Sequence, residues 1–188
     1  MNLGVLAGLA AAALAAGPAI AAPPLWSIDK GHSRVAFTSE VSGQAFTGVF
    51  RVWDAVIHFD PKDLAHSDVA ATIDIASAVT GSADRDALLP DEDWFWISRF
   101  PRAQFVARGF SPAGAGRYVA AGVLSLRGAS RPVSLPFSLS LQGPTARMTG
   151  EVTLDRRAFG VGQGEWSATD AVPAAVIVRV DLSATRRP

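Results

Sequence analysis

"VSLPFSLSL" at residues 133–141 alternates Val133, Leu135, Phe137, Leu139 and Leu141 with Ser134, Pro136, Ser138 and Ser140. A segment of this kind has one dry face and one wet face, the pattern of a half-buried β-strand. The same reading applies to residues 69–75 (VAATIDI), 146–154 (ARMTGEVTL) and 176–182 (VIVRVDL). Further strands are expected from Val35 and Phe37 to Val41, over 49–59 with Ala55, Ile57 and Phe59 in phase, and over 103–110 and 118–127. Short connections rich in Gly and Pro, such as 112–116 and 143–144, join the later runs. Eight strands at this spacing predict an all-β, antiparallel sheet closed on itself, not a helix-crossed parallel one. A barrel of this size either fills its interior with side chains or encloses one ligand.

The alternation breaks between residues 77 and 101. Residues 83–89 are compatible with a helix that ends at Pro90, and Asp91, Glu92 and Asp93 suit the start of a further helical turn. Trp94, Phe95, Trp96 and Phe100 follow within seven residues. That much aromatic surface is expected to lid one end of the barrel or pack against its wall. The pattern leaves open whether it is a plug or a ligand-contacting lid.

Residues 3–16 form a charge-free apolar run that ends at Gly17 and Pro18 and precedes Ala19-Ile20-Ala21. This predicts a secretory signal peptide over residues 1–21, cut after Ala21, with one domain over residues 22–188 and a periplasmic location. The alternative, an uncleaved anchor over residues 3–22, is only weakly hydrophobic because of its alanines, glycines and proline. There are no cysteines, which excludes disulfides, thiol catalysis and Cys-ligated metal. Lys plus Arg and Asp plus Glu stand at 17 each, so no charge excess points to nucleic acid.

Polar chemistry is sparse. His32, His58 and His66 match no metal-binding spacing, and no Gly-x-Ser-x-Gly elbow is present. His58 should face the wet side of its strand, opposite Ile57 and Phe59. His32 and Ser33 are read as fixing the start of the first strand, and Asp84, Arg85 and Asp86 as a structural salt-bridge cluster. No catalytic residue, metal site or cofactor is assigned.

Four stretches carry a family resemblance: "WSIDKGHSRVAFTSE" from Trp26, "SAVTGSADRDALLPDEDWFWISRFPRAQF" from Ser77, "GVLSLRGASRPVSLPF" from Gly122 and "LDRRAFGVGQGEW" from Leu154. In this order they resemble the YceI-like family of periplasmic polyisoprenoid-binding proteins over residues 26–184. The resemblance implies an extended eight-stranded, lipocalin-like barrel with a helical segment between the fourth and fifth strands. It also implies a non-enzymatic carrier or sequestering role for an isoprenoid-like lipid, a polyprenyl chain or a quinone. The family's His-Ser and Arg-Asp pairs map to His32, Ser33, Arg85 and Asp86, read as structural or mouth-lining. Trp96 stands where the family commonly has an acidic residue.

From the alternation, the expected lining is Phe37, Phe50, Ile57, Phe59, Ile73, Ile75, Phe105 and Val123, with Trp94, Phe95 and Trp96 near an opening. Two rival readings stay open at this point. A filled barrel could use its Trp-rich segment to dock a membrane redox partner, or a small-molecule hydrolase or isomerase could use His32 or Asp86. A transient membrane contact and either a monomer or a homodimer are compatible with the sequence.

Overall fold

The computed structural model describes residues 22–187, so the expected signal segment at 1–21 lies outside the described residues. Eleven strands form one sheet: β1 (Trp26–Ile28), β2 (Arg34–Val41), β3 (Gln44–Phe50), β4 (Trp53–His58), β5 (Asp68–Asp74), β6 (Ala78–Val79), β7 (Arg102–Pro112), β8 (Arg117–Leu126), β9 (Ala129–Gln142), β10 (Thr145–Asp155) and β11 (Ala175–Arg186). Every pairing is antiparallel, and a short helix, α1 (Ala83–Leu88), lies between β6 and β7.

Eleven strands stand where the periodicity gives eight, because the short β1 and β6 lie outside the expected runs and the expected 49–59 strand is divided between β3 and β4. A turn at Lys30–His32 separates β1 from β2, a bend at Arg51 and Val52 separates β3 from β4, and a turn at Ile75–Ser77 separates β5 from β6. The bend also flips the inward set from the even positions Phe46, Gly48 and Phe50 to the odd positions Trp53, Ala55 and Ile57. With β3 and β4 counted apart, α1 follows the fourth of the longer strands. Counted as one bent strand, they leave it after the third.

The hydrogen-bonded path runs from β4 through β5, β7, β8, β9, β10, β11 and β2 to β3 and β6. Its ends meet because β3 and β4 are consecutive in the chain. At one end of the barrel β1 pairs with β11 while Leu25 bridges His58 and the Phe59 N–H donates to the Pro24 carbonyl at 3.2 Å. The sheet is thereby curled into a barrel that leaves few free edges.

Residues 91–99 do not continue as a helix. The Trp94 and Trp96 N–H groups both donate to the Asp91 carbonyl, at 3.1 and 2.8 Å, and Trp96 adopts φ 50°. A left-handed residue ends any right-handed helix, so the segment folds as successive turns. Two apolar clusters occupy the barrel. One surrounds Phe59, Phe137 and Trp26; the other surrounds Ile75, Phe95 and Phe159, where the turns meet the sheet.

Candidate functional site

Between these clusters the barrel is hollow. The inward set on β10 is Ala146, Met148, Val152 and Leu154, which pair across the sheet with Ala184, Leu182, Val178 and Val176 of β11. Period two thus turns every second residue of both strands to the interior. The space divides into two lobes of about 230 and 200 Å³. Val35, Ile73, Leu124, Leu154 and Val178 line both, so the lobes adjoin at a waist formed by these side chains. A filled barrel does not describe this interior.

The lobes differ in chemistry. The lobe around Phe59 and Phe137 is lined by apolar side chains throughout. The other lobe, beneath residues 80–97, has Ser39, Thr80, Arg85 and Arg156 in its wall. Val41 and Phe46 of the β2–β3 hairpin and Arg85 and Leu88 of α1 also line it, and Leu88 is exposed. The Arg85 guanidinium lies 4.4 Å from the centroid of the Phe46 ring, and its Nε and Nη2 donate to the Thr80 hydroxyl and carbonyl at 3.3 and 3.4 Å.

Asp86 accepts from the Thr80 hydroxyl at 2.6 Å and from its backbone N–H at 2.8 Å. The hydroxyl bond chiefly holds its carboxyl below the usual carboxylate range, with the charges of Arg85 and Arg51 acting the same way. The expected salt-bridge cluster is therefore a hydrogen-bonded knot on Thr80, formed because that residue offers two donors within reach of the helix.

Arg156 is 4 % exposed and donates to six carbonyls. Its Nε reaches Pro173, Nη1 reaches Val161 and Gly162, and Nη2 reaches Trp166, Ala168 and Val172. Burial pulls the guanidinium below its ordinary pKa, yet it remains cationic. This fan of bonds gathers residues 161–173 over the cavity and brings Trp166 against Trp94, with ring centroids 5.4 Å apart. Ser39 Oγ and Trp94 Nε1 are buried in the same region without a hydrogen-bond partner among the described residues.

Of the residues read from the sequence, Phe37, Phe50, Ile73, Ile75, Trp94 and Phe95 line the first lobe, and Ile57, Phe59, Ile73 and Phe105 the second. Val123 is a correction. It is 46 % exposed on the outer face, and Leu124 takes the inward position. Adjacent apolar residues hid the phase there, although the polar Ser125 next to Leu124 marks the outer set. Trp96 is the second correction: its left-handed backbone turns it away from the cavity, onto Phe100 at 5.7 Å and beneath the Arg99 guanidinium at 4.8 Å.

His32 is an exposed partner of Asp29 at 2.8 Å, outside the cavity, and Ser33 Oγ accepts from the Ser183 N–H at 2.9 Å, tying β2 to β11. His58 pairs with Asp68 at 3.1 Å on the outer side of its strand. Arg156 and Ser39 were missed; at Glu165 and Trp166, where a polar contact at the barrel mouth is a weaker expectation from the sequence, it is the Trp166 side chain that lines the cavity.

The family model for the YceI-like domain matches residues 26–184. A UPF0312 protein of Pseudomonas savastanoi is 29 % identical over 169 residues, covering 86 % of this chain and 88 % of its own length. The crystal structure of Burkholderia cenocepacia BcnA superposes with a TM-score of 0.82 at 31 % identity, over 85 % of this chain and 100 % of that one. A polyisoprenoid binding domain from Saccharophagus degradans shares the fold at a TM-score of 0.69 and 14 % identity, over 86 % of this chain and 98 % of its own.

Proposed function

We propose that this chain, which belongs to the YceI-like domain family, carries or sequesters a long-chain isoprenoid-like lipid in the periplasm, with a polyprenyl chain or quinone tail inside the barrel. The observation that carries this reading is the pair of adjoining lobes inside the barrel, largely apolar, with the polar side chains of the lining gathered in the lobe beneath the helical segment. A long apolar chain needs no specific polar contact, since each methylene taken from water contributes about 0.8 kcal/mol. The polar end of the lipid lies near α1 and Arg85, and the tail runs through the waist toward Phe59. The name of the Saccharophagus domain, a polyisoprenoid binding domain, is consistent with such a cargo.

The test is mass spectrometry of an organic extract of the protein purified from the periplasm of an expressing bacterium, beside an unrelated barrel protein treated identically. A stoichiometric prenyl lipid is the expected result. An empty extract that stays empty after incubation with excess quinones and polyprenyl lipids overturns the proposal.

A further inference from the structure

The second lobe ends on an aromatic floor. Phe59, Phe110 and Phe137 line it, and Tyr118 stands behind them. The ring centroids of Phe59 lie 5.2, 5.5 and 5.9 Å from those of Phe110, Tyr118 and Phe137, and Tyr118 and Phe137 are stacked at 5.5 Å. Edge-to-face packing of this kind holds each ring by its neighbours.

Two features fix the floor further. The Trp26 Nε1–H donates to the Phe59 carbonyl at 2.9 Å, and Leu64, from the loop after β4, packs on the same cluster. The ring of Phe110 reaches the interior only because the register of β7 shifts between Ala107 and Gly109, which breaks the odd inward phase of Ala103, Phe105 and Ala107. The opposite lobe ends instead on the partly exposed hairpin and helix residues around Phe46 and Leu88.

We infer that the floor of Phe59, Phe110 and Phe137 is the length gauge of the cavity: it stops the tail of the bound chain and so sets the longest isoprenoid accepted. This rests on the proposed lipid-carrier function. A chain whose polar end is kept in the lobe that holds Arg85 has a fixed distance to run before it meets these rings. One isoprene unit more must then fold back or push its polar head outward, past Arg85 and the partly exposed Phe46 and Leu88. A phenyl ring carries six carbons and an isoprene unit five, so removal of one ring makes room for about one further unit.

The experiment offers the protein, recovered after expression of the full-length chain, a ladder of linear all-trans prenyl alcohols that differ by one isoprene unit, and reads retained ligand by native mass spectrometry. Wild type is expected to show a sharp upper limit. Phe137→Ala should raise that limit by about one unit, with a gain on the order of tenfold or more for the first excluded chain. Phe110→Ala, at a less buried ring, gives a second route to the same shift should Phe137→Ala fail to fold. Ala71→Leu, which adds bulk to the wall of the same lobe, should lower the limit.

Retention without an upper limit, or a limit unmoved in folded Phe110→Ala and Ala71→Leu proteins, overturns the gauge while leaving the lipid-carrier reading intact. Failure of wild type to retain any member of the ladder overturns the carrier reading and the gauge with it.

Discussion

Replacing Arg156 with methionine removes the guanidinium that gathers six carbonyls and keeps most of the side chain's bulk. Left unsatisfied in place, six acceptors at about 1–3 kcal/mol each would cost about 6–18 kcal/mol, as much as the whole stability of an ordinary domain, about 5–15 kcal/mol. The chain does not lose that much, because residues 160–174 form a surface loop whose carbonyls can turn outward and rehydrate. The cost is bounded by the opening of that loop. Removing one member of a buried charged network costs about 3–5 kcal/mol. At about 2–4 °C per kcal/mol for a domain of this size, the thermal midpoint should fall by about 6–20 °C.

Hydrogen exchange read by mass spectrometry should locate the loss. Peptides covering 161–172 gain exchange first, while β9 and β10 stay protected. Arg156→Lys keeps the charge but offers one ammonium in place of a planar fork, and should recover less than half of the midpoint. Lipid retention should fall in both variants, since Val161, Trp166 and Val172 wall the lobe beneath this loop. A midpoint within about 2 °C of wild type together with unchanged exchange over the loop would refute the reasoning.

At Gly122, an added Cβ would meet the Val106 carbonyl oxygen at 2.5 Å and Ala107 Cβ at 2.8 Å, so Gly122→Ala should cost about 1–3 kcal/mol in urea unfolding. At Gly109 the nearest atoms are 3.6 and 3.7 Å away, and Gly109→Ala should be neutral within about 0.5 kcal/mol; equal effects of the two substitutions would contradict the register of β7 and β8. Val123→Thr should alter neither stability nor lipid retention, whereas Leu124→Ala, at the waist, should lower both by urea unfolding and extract analysis, with a cost of about 2 kcal/mol. Because the Asp86 carboxyl is depressed, chiefly by the Thr80 hydroxyl, its contribution is complete above the ordinary carboxylate range and is lost as pH falls through its lower folded value. Wild type should therefore lose its advantage over Asp86→Asn below about pH 4, and an advantage that grows on acidification would reverse the assigned sign.

The strands and their facing were legible in the sequence because alternation is a local property of the chain. Residues 133–141, 146–154 and 176–182 place Leu135, Met148 and Val178 inside without knowledge of any partner strand. Extended by one step past Leu154, the same parity points Arg156 inward, but a cation at that position reads as the end of a strand. Only the six carbonyls that converge on it, from residues up to 17 positions away, make an inward arginine tolerable.

The phase errors are also physical. Val123 was misplaced because two adjacent apolar residues carry no parity of their own, and Phe110 changes face through a register shift that no composition marks. Trp96 left the cavity through one backbone angle, φ 50°, set by the turns around it. What the sequence determined alone was an antiparallel β-barrel with an aromatic insertion, since period two and turn residues act between near neighbours. Whether that barrel is hollow, where its waist and floor lie, and which end holds the polar groups were decided by tertiary packing, because volume and closure depend on side chains that meet only across the sheet.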